Sequence, residues 1–367
     1  MKTKAAVLTK PGPLEIMELD LEEPRTGEVL VRYVASGLCH TDLHMMEGIL
    51  VPRYPIVLGH EGSGTVEAVG PGVTRLKPND HVVCSYIPSC GRCRYCATGR
   101  QNLCDLGATV ARGCMPDETF RLSRGGVNYG AFALVGTFAE YGVVLQESLI
   151  KIDDWLPLDI AALVSCSVPT GWGAAVYAAD VRPGDTIIIY GTGGVGINAV
   201  QGAAHAGARY VIAVDPQPMK RELALAMGAT HAFATAEEAQ AASNELSWGQ
   251  GADKAIICVD VVHSEHVTHA FDAVGKGGVV VIVGVAARDE LTVQLPSASM
   301  ITYQKTVRGA MFGWCNPQFD IVRLLRLYDS GALKLDELVT ARYPLDDVNQ
   351  GYEDLKSGQN VRGLLVY

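Results

Sequence analysis

The chain is poor in several things, and each scarcity closes off a class of protein. Charged residues make up only 19% and aromatics 7%, against 48% hydrophobic residues, a balance that excludes an intrinsically disordered chain. Basic residues are outnumbered, 30 Lys and Arg against 40 Asp and Glu, and the net charge is −10. No long Lys/Arg run interrupts that acidity, so no nucleic-acid partner is expected. No window reaches the roughly 18 uninterrupted apolar residues that would span a bilayer, so no membrane partner is expected either. The N-terminal stretch lacks the apolar centre of a signal peptide, since proline and acidic residues break it within a few positions. A cytoplasmic location is the expectation. There is no internal repeat and no low-complexity segment. The 40 glycines fall singly or in short clusters, as turns and close backbone approaches do.

What is present divides the chain in texture. At 367 residues it is long for one core and suggests two domains of ordinary size. The first third alternates short strand-like runs, such as 28–34 and 80–86, with Gly, Pro and Asn turns, which reads as a β-rich, partly barrel-like domain. After about Pro169 the apolar runs at 186–190, 210–214, 254–259 and 279–283 alternate with helix-length segments rich in Ala, Leu and Glu. That is the βαβ rhythm of a parallel sheet covered on both faces. From about Phe312 the mixed texture returns. The expected organisation is a catalytic domain at 1–168, a nucleotide-binding domain inserted at 169–312, and a return to the first domain at 313–367.

The run Ile187-Ile-Ile-Tyr190 leads straight into Gly191-Thr-Gly-Gly-Val-Gly196 and then an Ala-rich helical segment. A G-x-G-x-x-G that ends a strand and opens a helix is a dinucleotide fingerprint. Gly191, Gly193, Gly194, Val195 and Gly196 would let a pyrophosphate approach the helix N-terminus, where free N–H groups favour an anion. The next apolar run ends at Asp215, placed to take both ribose hydroxyls of NAD and to repel the 2′-phosphate of NADP. Pro216 follows it, so no arginine stands next in line for that phosphate.

Ten cysteines in a reducing compartment point to metal ligands rather than disulfides. Cys90, Cys93, Cys96 and Cys104 lie within fifteen residues, a spacing that wraps one ion tetrahedrally and leaves no open position, as in a structural zinc. An iron–sulfur cluster is the rival. The fourth cysteine is followed by Asp105, not Pro, and lies too far from the third for that motif. Cys39, His60 and Cys166 are distant in sequence, and spacing does not prove that they meet. Together they would form the Cys₂His set of a catalytic zinc with one position open. Cys84, Cys114, Cys258 and Cys315 read as small buried hydrophobes.

Gly59-His60-Glu61, with Gly64, Gly70 and Val73 at the following positions, matches the signature of the zinc-containing medium-chain alcohol dehydrogenases. The four-cysteine segment and the inserted glycine motif match in order and spacing, so the resemblance covers essentially the whole chain. It implies an α/β fold, a Rossmann doubly wound parallel sheet inserted in a β-rich GroES-like catalytic domain with a structural zinc lobe. It implies that Cys39, His60 and Cys166 bind the catalytic zinc, that Glu61 sits behind the metal and can exchange in, and that Asp42 supports His60. Thr41 would hydrogen-bond the alcohol oxygen and begin a proton relay whose far end is His44. His40 stands where many relatives have an arginine on the pyrophosphate, Arg362 would reach that pyrophosphate from the C-terminal segment, and Thr170 would lie beside the nicotinamide. Tyr86 and Leu50 would line the substrate pocket, with Met115, Phe120 and Met311 as weaker candidates.

The activity so implied is reversible oxidation of a primary alcohol to an aldehyde, with hydride passing to NAD and two zinc ions per subunit. The stretches 84–107 and 168–180 are most similar to actinobacterial alcohol dehydrogenases assayed with nitrosodimethylaniline. That similarity implies tightly bound NAD, reoxidised in place by an external redox carrier. Two alternatives stay open. A thiol-dependent formaldehyde dehydrogenase would need a polar or basic mouth, for which Arg121 and Arg124 are candidates. A non-catalytic binding protein would be expected to lack part of the open zinc set. A homodimer or homotetramer is implied, with the strand at 279–283 and the apolar run after Leu291 as possible contacts.

Overall fold

Apolar runs broken by turns pair into two sheets in one part of the chain and into a third, fully parallel sheet in the other. The computed structural model describes residues 1–286, 290 and 292–367. It divides into two compact units: Met1–Cys166 with Asn316–Tyr367, and Ser167–Cys315. In the first unit a closed barrel joins Lys2–Leu8, Glu15–Leu21, Leu122–Arg124, Val127–Ala131 and Ile56–Val57. Beside it runs a sheet in the order Leu149–Lys151, His81–Cys84, Gly62–Val69, Glu28–Gly37, Arg362–Val366, Val339–Tyr343, with Tyr141–Leu145 also paired to Glu28–Gly37.

Register in this sheet decides where the site forms. Glu28–Gly37 is buried along most of its length, as a central strand rich in Val, Leu and Ala should be. Its end pairs with the start of Gly62–Val69, Ser36 facing Gly62, and the Gly37 N–H donates to the Glu61 carbonyl at 2.8 Å. The residues just beyond each strand end, Cys39 on one and His60-Glu61 on the other, therefore emerge side by side. Arg362–Val366 adds antiparallel on the same strand, Leu364 facing Gly37, and brings Arg362 to that corner. A short helical turn, Leu158–Ala161, is tied to the neighbouring strand by the Ser63 hydroxyl on the Leu158 carbonyl. It continues through Ala162–Ser165 to Cys166.

The second unit is a six-stranded sheet in the order His231–Phe233, Tyr210–Val214, Thr186–Tyr190, Ala252–Ile257, Val274–Ile282, Thr306–Gly309, parallel throughout. Numbered along the unit, that is 3-2-1-4-5-6, the doubly wound dinucleotide order. Two strands escape the sequence reading, His231–Phe233 and Thr306–Gly309. Both are short sheet edges whose burial is only partial, so they lack a continuous apolar run. The residues 279–283 were expected to offer a subunit contact. They lie mostly in an interior strand paired on both sides, and the neighbouring strand at that edge of the sheet is Thr306–Gly309. Leu291 lies outside the described residues. Among those described, no single helix is long and apolar enough to cross a membrane.

Candidate metal centres and dinucleotide site

Cys39 occupies the N-cap position of the helix His40–Met46, whose inner face buries Asp42, Leu43, His44 and Met45. Donor atoms of Cys39, His60, Glu61 and Cys166 all lie within 4.8 Å of one another, and all four residues are buried. Asp42 is fully buried. Its Oδ1 accepts the Gly59 N–H at 2.9 Å and its Oδ2 lies 2.9 Å from His60 Nδ1. That contact turns the other ring nitrogen, Nε2, toward the thiols. His60 is held edge-on between two rings, Tyr86 at 5.5 Å and Phe132 at 5.3 Å.

The electrostatics suit a cation. Burial alone would push the His60 imidazole down, but the Asp42 carboxylate and the Cys39 thiol hold it up at about 10. Cys39 moves the other way, well below the ordinary thiol range: hydrogen bonding with Cys166 outweighs burial, and His60 and Arg362 add to it. Both shifts favour negative charge on sulfur beside a positive neighbour, a place that a divalent cation could take. Two sulfurs, one imidazole and a nearby carboxylate fit zinc with an open position.

Glu61 also makes an ion pair. Its Oε2 accepts from Arg362 Nη2, while its Oε1 has no hydrogen-bond partner in its buried position. Gly37 makes room for this pair, because a Cβ there would stand 2.1 Å from Glu61 Oε2 and 2.8 Å from Arg362 Nη2. Arg362, expected at a pyrophosphate, is therefore committed to Glu61 and 3% exposed. Thr41 Oγ1 lies 3.7 Å from Cys39 Sγ. His44, expected at the solvent end of a relay, is fully buried, and half-buried His40 has its ring 6.4 Å away.

The four-cysteine segment forms a second cluster, with the sulfurs of Cys90, Cys93, Cys96 and Cys104 within 4.8 Å of one another. Backbone N–H groups aim at the sulfurs: Cys90 N–H to Cys104 Sγ at 3.4 Å, Cys93 N–H to Cys90 Sγ at 3.3 Å, and Cys96 N–H to Cys93 Sγ at 3.4 Å. Such donors favour thiolates. Backbone donation from Asp105 and Cys96 pulls Cys93 down to about 6, whereas burial pushes Cys104 up to about 12. Four sulfurs with no open position fit a structural zinc. Of the remaining cysteines, Cys84, Cys114 and Cys315 are fully buried and Cys258 is half-buried.

In the second unit the strand Thr186–Tyr190 ends at Gly191, whose φ of +82° lies in the left-handed region. A Cβ at Gly196 would stand 1.8 Å from the Gly191 carbonyl oxygen, so the turn closes only with glycine there. A Cβ at Gly193 would meet nothing within 4 Å, which leaves open space above that position of the turn. The helix Gly196–His205 starts without a side-chain cap, and its Ile197 and Asn198 N–H groups donate to the Gly193 and Val195 carbonyls at 2.9 and 3.1 Å. Asp215 is 4% exposed and accepts from Thr192 N–H at 2.9 Å and Gln217 N–H at 3.0 Å. Arg221, not singled out from the sequence, donates to the carbonyls of Asp215 and Pro216 at 2.8 and 2.9 Å. Thr170 is buried with its hydroxyl unpartnered, as a group waiting for a ligand amide would be. The residues present fit a dinucleotide.

Of the pocket candidates, Tyr86 faces His60, and Leu50 packs on the same core with its N–H on the His44 carbonyl at 3.0 Å. Phe132, on the other face of His60, was missed, since its placement depends on a tight turn remote in sequence. Met115 belongs instead to the core of the barrel side, Phe120 lies under the Arg53 guanidinium at 4.4 Å, and Met311 is half-exposed. Arg121 is buried and gripped by Glu28, Nε to Oε2 at 2.7 Å and Nη2 to Oε1 at 2.6 Å. A basic mouth for a thiol carrier cannot use it. Arg124 sits against the Met17 sulfur at 3.6 Å.

The fold and the two donor clusters define a class, and comparison with known proteins agrees. Residues 25–154 match the alcohol dehydrogenase GroES-like domain and residues 194–328 the zinc-binding dehydrogenase domain. The chain belongs to the zinc-type medium-chain alcohol dehydrogenase family and is an enzyme of that family. It is 61% identical to the NDMA-dependent alcohol dehydrogenase of Amycolatopsis methanolica, over 100% of this chain and 99% of that one. It is 42% identical to alcohol dehydrogenase B of Mycobacterium tuberculosis, again over 100% and 99%. Among solved structures, benzyl alcohol dehydrogenase from Acinetobacter calcoaceticus superposes with a TM-score of 0.93 at 32% identity, covering 100% of this chain and 99% of that one.

Proposed function

We propose that this enzyme reversibly oxidises a primary alcohol to an aldehyde, with zinc at Cys39, His60 and Cys166, a structural zinc in the four-cysteine lobe, and NAD on the glycine turn. The convergence of two thiols, one imidazole and one carboxylate within 4.8 Å carries this reading. When bound, the zinc polarises the alcohol oxygen as a Lewis acid and the nicotinamide accepts the hydride.

The chain's own residues do the rest. Asp42 fixes the His60 tautomer and keeps the ring aimed. Thr41, one residue into the helix from Cys39 and 3.7 Å from its sulfur, is the hydroxyl placed to receive the alcohol proton. His44 stands one turn further on, buried, so the proton leaves the site through a dry segment before it meets water. Tyr86, Phe132 and Leu50 give the alcohol's carbon body an apolar wall, which excludes water from the reacting centre. Glu61 is restrained by Arg362 through Oε2, while its carboxylate stays within reach of the ligand set.

For the cofactor, the Asp215 carboxylate accepts two backbone N–H groups and the Thr192 hydroxyl, and offers its remaining lone pairs to the ribose hydroxyls. The nearest guanidinium, Arg221, is tied to backbone carbonyls, which supports NAD over NADP. The 61% identity to an NDMA-dependent enzyme supports a cofactor that stays bound and is reoxidised in place by a second carrier. A homodimer or homotetramer belongs to the same reading, with exposed Val293 and Ile301 as the apolar contact surface.

The test is oxidation of benzyl alcohol by desalted protein, with nitrosodimethylaniline and no added NAD, beside a sample given free NAD alone. Turnover with the artificial acceptor alone supports bound NAD. Turnover only with added NAD removes the second carrier and leaves an exchanging dehydrogenase. No turnover in either sample, with both zinc ions present, sinks the alcohol reading.

A further inference from the structure

The parallel sheet has a second concave face at the end opposite the glycine turn. It opens where the strands Thr186–Tyr190, Tyr210–Val214 and Ala252–Ile257 begin, and Gly184 and Thr186 line it while Gly191 closes the far end of the same strand. A five-residue strand separates the two by about 16 Å. The concavity is open to solvent, measures about 680 Å³, and no residue of the proposed catalytic or dinucleotide site lines it.

Three cations line the concavity, Arg209, Lys276 and Lys305. Arg209 is stacked, its guanidinium 4.9 Å from the Tyr210 ring and 5.9 Å from the Trp248 ring, and Lys276 stands 5.5 Å from the Tyr303 ring. Two carboxylates also line it. Asp253 is occupied by the Thr186 N–H at 2.8 Å, and Asp272 lies near Lys305, whose ammonium donates to the Phe271 carbonyl at 2.7 Å. Among the described residues none of the three cations makes a carboxylate ion pair, and Lys305 is the one committed to a backbone carbonyl.

Trp248 is the telling residue. It is 79% exposed, the most exposed large apolar side chain described here. It also sits just past the C-terminus of the helix Ala236–Leu246 at φ +54°, the left-handed position where glycine is the usual occupant. The turn that presents it is rigid: Gly249 N–H donates to the Asn244 carbonyl at 2.7 Å and Gly251 N–H to Ser247 Oγ at 2.9 Å. A strained, ordered turn therefore holds an indole in water, with Arg209 against the ring.

We propose that this concavity binds a planar aromatic anion of the purine mononucleotide class, its base stacked on the Trp248 indole and its phosphate on Arg209 and Lys276. Stacking on aromatic rings is sequence-tolerant and strong enough to hold such a base, and the stacked guanidinium and free ammonium suit a phosphate.

The experiment titrates adenosine monophosphate into the zinc-loaded protein with NAD saturating, following tryptophan emission and heat. Saturable binding without release of NAD is expected, weakened roughly 10-fold or more in Trp248→Gly and in Lys276→Ala. Trp248→Gly relieves the left-handed strain, so its melting temperature should rise while binding falls, which separates the effect from misfolding. Absence of saturable binding, binding that merely expels NAD, or unchanged affinity in both variants overturns the proposal. So does indole emission that ignores the nucleotide because a second copy of the chain covers the face.

Discussion

Removing the Asp42 carboxylate should loosen the metal at Cys39, His60 and Cys166 without touching the four-cysteine lobe. Asp42 is fully buried and serves two donors, the Gly59 N–H at 2.9 Å and His60 Nδ1 at 2.9 Å. Asp42→Ala leaves both without an acceptor in a dry place, at about 1.5–3 kcal/mol each, so a loss of about 3–5 kcal/mol of stability is expected. The metal term is separate. Supports of this kind are worth about 10–100-fold in affinity, or about 1.4–2.7 kcal/mol. Asp42→Asn keeps an acceptor for Gly59 but presents an amide to His60, so it should fall between the two. The assay is zinc transfer to a chromophoric chelator in excess, which resolves a fast and a slow phase. In both variants the fast phase should accelerate and the slow phase, from the four-sulfur cluster, should not. Unchanged release in Asp42→Ala would refute the reasoning. So would equal acceleration of both phases, which would mean that the carboxylate merely holds the fold.

Other outcomes follow from single contacts. Gly37→Ala places a Cβ 2.1 Å from Glu61 Oε2, and should cost about 3 kcal/mol or more by forcing the Glu61–Arg362 pair apart, read by denaturant unfolding. Gly196→Ala puts a Cβ 1.8 Å from the Gly191 carbonyl, and should abolish NAD binding by calorimetry while both zinc ions remain on metal analysis. Arg121→Met leaves Glu28 a buried charge without its partner, and should lower stability by about 3–5 kcal/mol with alcohol oxidation per folded molecule unchanged. Asp215→Ala should narrow the preference for NAD over NADP, measured as the ratio of their dissociation constants, and an unchanged ratio would remove Asp215 from that role.

The parts of this molecule that could be read from the chain are those written contiguously. The glycine turn lies between one strand and one helix, and the four cysteines sit within fifteen residues, so local spacing carries both. Four of the six parallel strands show as unbroken apolar runs because both their faces are covered. Cys39, His60 and Cys166 carry no such local mark. They meet because Ser36 pairs with Gly62 and a helical turn is tied to the same strand, and register of that kind is absent from spacing. For the same reason the partner of Arg362, the burial of His44, the ring of Phe132 beside His60 and the grip of Glu28 on Arg121 were not foreseen. Each depends on a contact between distant segments, and each involves a side chain whose type fits several environments equally well.

The sheet register that gathers the site also sets an order of assembly. Arg362 joins Glu61 across 301 positions, through a strand that pairs only after nearly the whole chain exists. At about 5–20 residues per second of synthesis, some 10–40 s pass between Cys166 and the arrival of that strand. The four-cysteine segment needs no such delay, because its thiols come off the ribosome within moments of each other. The two clusters thus live different early lives. One has all four sulfurs on hand within fifteen residues, whereas the Glu61–Arg362 pair at the other forms only once the strand Arg362–Val366 has been made.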